Sequence, residues 1–218
     1  MNILVIGGGG REHAICWKLK HSKLTTTLYC APGNAGTSLL GENVAIKPTD
    51  IDRLLEFVQS NDIDLTVVGP EAPLAAGIVD RFREAGHRVF GPTRAAAQLE
   101  TSKAFAKEFM KRHRIPTAGY EVFHKGDEDR LREYLRSASY PLVLKADGLA
   151  AGKGVIIAES ANEAVTNAIP MLAGDSFGDA GSTLVVEEFL TGIEASVFAL
   201  TDGKRFITNT REQEQKRT

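Results

Sequence analysis

Cysteine is scarce in this chain. Cys16 and Cys30 are the only two in 218 residues, and they form no CxxC pair. Structural zinc has no ligand set here, and the two thiols read as reduced, buried residues of a cytosolic protein. Long hydrophobic runs are also lacking. The N-terminal run NILVI stops after five residues and no charged segment precedes it. It is too short for a signal peptide or a membrane span, so the expected location is the cytoplasm, with no membrane partner. There is no basic stripe: 26 Lys and Arg are scattered among 28 Asp and Glu, for a formal charge of −2. Nucleic acid is therefore excluded as the main partner. No low-complexity segment or internal repeat is present, and oligomeric state has no sequence signature.

Glycine, by contrast, is abundant, with 21 residues often clustered at the ends of apolar runs. Residues 2–6 read as a buried strand leading through glycines into a helix over 11–21. TLYC (27–30) and IDLTVV (63–68) are further strands, VAI (44–46) is a third short one, and RVFG (88–91) a last. Thr49 would cap a helix burying Leu54, Leu55 and Val58, and another helix spans 74–85. This alternation predicts a parallel sheet with helices on both faces and ligand loops at the carboxyl ends of the strands. Near residue 100 the pattern changes. A helix at 102–113 should point Phe105, Phe109 and Met110 inward and Lys103 and Lys107 elsewhere. Strands then pair across short connections, 141–146 with 154–159 and 182–189 with 194–202, with helices at 126–138 and 160–173 between them. The expected fold class is α/β: an N-terminal parallel-sheet, Rossmann-like domain over 1–101, then an α+β unit over 102–218.

Three stretches are candidates for holding a nucleotide or its phosphates. At Gly7-Gly8-Gly9-Gly10-Arg11-Glu12-His13, a G-x-G-x-x-G register puts Glu12 or His13 where the third glycine belongs. The second strand ends in Tyr29-Cys30-Ala31, without a ribose-binding acid. The dinucleotide fingerprint fails twice, leaving a strand–loop–helix turn whose N–H groups could take a phosphate, or a plain tight turn. His13 reads as a packing or capping residue. The second device is KADGLAAGKGV (145–155). A P-loop would need glycine where Asp147 stands and a hydroxyl where Gly154 stands, and it would open a helix rather than a strand. What remains is a hairpin flap that could fold over a triphosphate, with Lys145 on the strand before it as a point charge. The bland alternative is a mobile hairpin with exposed lysines. The third is Glu187-Glu188-Phe189-Leu190, then Glu194: a solvated strand end, or beside a nucleotide flap an edge for adenine and ribose.

Taken together, GGREHA (9–14), APGNAGT (31–37), VVGPEAPL (67–74), FGPT (90–93), AAQLE-x-SKAFAKEF (96–109), KADGLAAGKGVI (145–156) and VVEEFLTGIEASV (185–197) resemble the phosphoribosylamine–glycine ligase family of the ATP-grasp superfamily, over about residues 1–206. The resemblance implies ATP-dependent joining of glycine to phosphoribosylamine in purine synthesis, through a glycyl phosphate. It implies ATP contacts at Lys103, Lys145, Gly148, Gly152, Lys153, Gly154, Glu187, Glu188, Leu190 and Glu194, in a lid spanning about 120–190. Gly9, Gly10, Arg11, Gly33, Asn34, Gly69, Pro70 and Glu71 would face phosphoribosylamine or the reacting centre. No covalent catalytic residue is implied. The family pattern departs after about 207, where this chain reads ITNTREQEQKRT. The acidic and amide ligands for Mg2+ (or Mn2+) are expected beyond residue 218. The second ATP-grasp subdomain would then be incomplete, with an exposed apolar face, and the 218 residues alone would not ligate. The alternative is a non-catalytic fragment that binds a nucleotide or phosphosugar.

Overall fold

The structure, a computed structural model, describes residues 1–148, 154–174 and 183–208. The first half is built on a five-stranded sheet of order β3-β2-β1-β4-β5, with every pairing parallel. Its strands are β1 Asn2–Gly7, β2 Thr27–Pro32, β3 Glu42–Asn43, β4 Leu65–Val68 and β5 Val89–Phe90. Ile3 to Ile6 are buried without alternation, as expected of a central parallel strand covered on both faces. Helix α1 Gly10–Lys20 lies on one face, where Ile3, Val5, Cys16, Leu28 and Cys30 pack together. Helices α2 Ile51–Ser60 and α4 Ile78–Glu84 cover the other, burying Leu4, Ile6, Leu54, Val58 and Phe82. A fully buried Leu or Phe of this kind contributes about 1.5–3 kcal/mol relative to exposure.

The strand order reverses at β1, so its carboxyl end and that of β4 flank a crevice, the usual ligand position in open parallel sheets. Several local expectations are corrected. The third strand is Glu42–Asn43 rather than 44–46, because Asn43 and Glu42 hold the register against Cys30 and Tyr29. Asp50, not Thr49, caps α2, its Oδ1 accepting from Arg53 N–H at 3.4 Å. The helix read over 74–85 is two, α3 Glu71–Ala75 and α4, broken at Gly77 with φ +90°. An unforeseen helix, α5 Arg94–Thr101, starts at the Thr93 cap.

Ser102 ends α5 and caps α6 Lys103–Arg112, its hydroxyl accepting from Phe105 N–H. The second sheet follows, of order β6-β9-β7-β8 and wholly antiparallel. Its strands are β6 Tyr120–His124, β7 Leu142–Ala146, β8 Val155–Ala158 and β9 Thr183–Glu188. Helices α7 Glu128–Ser137 and α8 Ala161–Ala173 seal one face over Phe123, Leu131, Leu144, Leu172 and Leu184. The β7–β8 hairpin bears out the pairing of 141–146 with 154–159. The pairing of 182–189 with 194–202 is wrong: β9 lies between β6 and β7, and the later strands β10 Ala199–Thr201 and β11 Phe206–Thr208 pair with each other. Both sides of β9 are already taken, so no edge was open to residues 194–202. Around this hairpin Leu190, Ile193, Val197, Phe198, Phe206 and Ile207 are all exposed.

Candidate functional site

The crevice between β1 and β4 is organised by a buried carboxylate. Glu12, three residues past Gly9, turns back so that its Oε2 accepts from the Gly9 N–H at 2.7 Å, half of a capping box at the start of α1. It is only 5 % exposed. Its side chain runs between two glycines: a Cβ on Gly69 would sit 2.2 Å from Glu12 Oε1, and one on Gly7 2.5 Å from its Cγ. Glycine is required at both places to make room for Glu12. Gly8 has a different reason, since its Cβ would meet Gly33 O at 2.7 Å.

Above this floor, Arg11 joins the two strand ends. Its Nη1 donates to Gly69 O at 3.0 Å and to Glu71 Oε1 at 2.9 Å. The hydrogen bond and charge of Glu71 push the guanidinium further up, and Arg11 in turn holds the Glu71 carboxyl below its ordinary range. Asn34 clasps the loop after β2 to the glycine turn. Its Nδ2 donates to Gly8 O at 2.9 Å, while its Oδ1 accepts from Gly36 N–H and Thr37 N–H. Gly33 has φ +72° and lies against the Asn43 and Thr37 side chains. The structure therefore brings Gly9, Gly10, Arg11, Gly33, Asn34, Gly69 and Glu71 to one end of the sheet, with Pro70 at the cap of α3. The Asn34 side chain is engaged within the loops, so it shapes the crevice. His13 packs its ring on Gly36, where a Cβ would come within 2.6 Å of it, in keeping with a packing role.

The second cluster forms on the sheet face opposite α7 and α8. Register puts Val143 opposite Glu187, and Lys145 opposite both Val155 and Val185, so these side chains share that face. Glu187 is 6 % exposed, and each carboxylate oxygen takes one lysine: Oε1 accepts from Lys145 Nζ at 2.9 Å, Oε2 from Lys107 Nζ at 2.8 Å. Lys107 is itself buried, and also donates to Thr117 Oγ1 and Ala118 O. This corrects the expected orientation of α6. Lys107 faces the sheet while Phe105, Phe109 and Met110 are half-buried, because the inward position lies over the Glu187 carboxylate.

Asp147, at the end of β7, ties the flap to α6. Its Oδ1 accepts from Lys103 N–H at 2.5 Å and Ala104 N–H at 3.3 Å, and its Oδ2 from the Ser102 hydroxyl at 2.9 Å. Lys103 Nζ donates to Gly148 O at 3.1 Å. Lys103, Lys145 and Gly148 thus sit around one helix N-terminus and one strand end, an arrangement suited to a polyphosphate. Gly154 is buried and its carbonyl accepts from Ala146 N–H. Gly152 and Lys153 lie outside the described residues. Glu188, the last residue of β9, is exposed, as are Leu190 and Glu194 beyond the strand. Val155 and Ile157 leave half-exposed apolar surface on the same face as Lys145.

Sequence reasoning missed Glu12, Lys107 and Asp147. Glu12 had a legible signal, its place three residues after a cap. Lys107 stands one turn beyond Lys103, but its burial depends on a carboxylate 80 residues away. Among the described residues no group of three His, Cys, Asp or Glu side chains could hold a metal ion, and no helix is long and apolar enough to cross a membrane.

Residues 1–100 match the family model described as phosphoribosylglycinamide synthetase, N domain, and residues 101–218 match phosphoribosylglycinamide synthetase, ATP-grasp (A) domain. The chain is similar to phosphoribosylamine–glycine ligase of Yersinia pestis, 56 % identical over 219 residues, and to that of Escherichia coli (strain K12), 54 % identical. Each match takes in 100 % of this chain and 51 % of the relative, so the chain spans about half the length of these curated relatives. Among solved structures, phosphoribosylamine–glycine ligase from Thermotoga maritima superposes with a TM-score of 0.80 at 33 % identity, over 95 % of this chain and 49 % of that one. N5-carboxyaminoimidazole ribonucleotide synthetase from the same organism shares the fold, with a TM-score of 0.69 at 21 % identity, over 96 % of this chain and 52 % of that one.

Proposed function

We propose, for a chain that belongs to the phosphoribosylglycinamide synthetase family, that its two halves serve the ATP-dependent ligation of glycine to 5-phosphoribosylamine. The products are glycinamide ribonucleotide, ADP and phosphate. A carboxylate is a poor acyl donor. In this reading a glycine carboxylate oxygen bonds to the γ-phosphorus of ATP and the bond to the ADP oxygen breaks. The amine of phosphoribosylamine then bonds to the acyl carbon, phosphate leaves, and the nitrogen gives up a proton. Such chemistry needs positioning and charge neutralisation more than a covalent residue. Lys103, Lys145, Gly148 and the flap through Gly152, Lys153 and Gly154 are assigned to the phosphates. Glu187, Glu188 and Leu190 are assigned to the adenine and Glu194 to the ribose. Gly9, Gly10, Arg11, Gly33, Asn34, Gly69, Pro70 and Glu71 are assigned to phosphoribosylamine or the reacting centre. Residues 1–101 form the substrate domain in this reading and 102–218 the partial ATP-grasp domain. Mg2+ would neutralise developing charge on the phosphates; the described residues offer no three-ligand group for it, and no step here is assigned to it. The buried free thiols suit the cytoplasm.

The observation that carries this reading is the link from Asp147 and Gly148 to Lys103 at the N-terminus of α6, with Lys145, two residues before Asp147, held by Glu187 on the neighbouring strand. A second reading is nucleotide or phosphosugar binding without ligation. ADP release measured with ATP, glycine and phosphoribosylamine, on a chain extended to the full length of the relatives, separates them. Release that requires both other substrates and is lost in Lys145→Ala supports ligation. ATP binding by calorimetry with no ADP release supports the second reading. Absence of both would sink the site assignment.

A further inference from the structure

We propose that Lys107 is a positioning residue for the phosphate end of this site. It holds Glu187 so that Glu187 aims Lys145, and its charge leaves the buried group with an excess positive charge that an anion at Lys145 completes. This rests on the reading of Lys145 as a phosphate contact and adds a residue outside the flap. An ammonium has three N–H donors. Those of Lys107 meet Glu187 Oε2 at 2.8 Å, Thr117 Oγ1 at 2.8 Å and Ala118 O at 3.3 Å, and its side chain is 6 % exposed. It has no donor left for a ligand, so its influence must pass through Glu187. Lys145 differs. Its side chain is 27 % exposed, and among the described residues its hydrogen-bond partner is Glu187 Oε1 alone.

Two ammoniums share one carboxylate, so the group carries one formal positive charge in excess. Excess charge in so dry a place is unfavourable until a counter-charge meets it. Asp147, the carboxylate at the end of the strand that carries Lys145, is committed to the first turn of α6. The remaining place for a counter-anion is the exposed side of Lys145. Without Lys107, Lys145 and Glu187 would form a neutral pair with far less call for an anion.

The test uses the 218-residue chain with sodium tripolyphosphate as the probe, followed by isotope-labelled lysine side-chain signals assigned through Lys145→Arg. In wild type, tripolyphosphate should shift the Lys145 signal. In Lys107→Met the affinity should fall by about tenfold or more, and Lys107→Arg should restore most of it. Lys107→Gln, which keeps hydrogen-bond donors without the charge, guards against a fold lost in the Met variant and should show the same fall. Equal affinities in wild type and both neutral variants, or no response in wild type, would overturn the proposal. A wild-type response to tripolyphosphate with none to ATP would refute the nucleotide reading while supporting this one.

Discussion

Glu187 and Glu188 are adjacent acids at one strand end, yet they should behave very differently when neutralised. Glu187→Gln removes the carboxylate that joins Lys107 and Lys145 at 2.8 and 2.9 Å. At an effective dielectric of about 20, one unit pair at 2.8 Å is worth about 6 kcal/mol of gross attraction. Part of this only offsets the desolvation of both partners. What decides the outcome is the charge left behind. Lys107, with 6 % of its side chain exposed, cannot regain water, whereas Lys145, at 27 %, can in part. The expected loss is therefore about 3–5 kcal/mol, the range for a buried pair broken from one side. Glu188→Gln, at an exposed position, should stay within about 0.5 kcal/mol of wild type. Urea unfolding followed by circular dichroism measures both. The single Trp17, on α1 of the other sheet, gives an internal control, because its emission should be unchanged at denaturant concentrations where only the second sheet is lost. If Glu187→Gln lost less than about 1 kcal/mol, or no more than Glu188→Gln, the claim that this carboxylate holds the second sheet to α6 would fail.

At the other crevice, Gly69→Ala places a Cβ 2.2 Å from Glu12 Oε1 and should destabilise by about 1–3 kcal/mol in urea melts, with much of the loss recovered in a Glu12→Ala background. Arg11→Met should let the Glu71 carboxyl rise towards the ordinary carboxylate range, read by carbon-detected NMR titration. The sign follows from the depressed value: the Arg11–Glu71 link is complete above the ordinary carboxylate range and weakens as pH falls through the lowered one. Asp147→Ala removes the acceptor for Lys103 and Ala104 N–H and should cost about 0.5–2 kcal/mol, with faster amide exchange confined to the first turn of α6.

The parallel half was legible because its signals are local. An apolar run such as Ile3 to Ile6 can only be a strand covered on both faces, and the glycines after it mark where the chain must turn. What failed there also failed locally. Gly77 was read as a helical residue although it adopts φ +90°, and Glu42–Asn43 was passed over because a two-residue strand has no periodicity to show. In the antiparallel half the β7–β8 hairpin was readable from two apolar runs around a flap. The position of β9 was not, since sequence proximity pointed to residues 194–202 while β6 and β7 took both its edges.

The candidate site divides in the same way. Lys103, Lys145, Glu187 and the glycines could be named from their motifs, because each sits in a short stretch whose spacing carries its own chemistry. Lys107 and Glu12 could not, because each is defined by what the tertiary fold packs over it. A lysine on an amphipathic helix is read as solvated by default, and only a carboxylate arriving from a distant strand reverses that. Gly7 belongs to a turn that reads as a phosphate cradle and Gly69 to a loop that the resemblance turns towards the substrate, yet the volume freed at both positions is filled by the Glu12 side chain. That carboxylate also takes the Gly9 N–H, one of the donors a phosphate at this helix start would use. Any anion bound here must therefore rely on the remaining first-turn donors and on Arg11. Arg11 is exposed and is held over the crevice by Gly69 and Glu71.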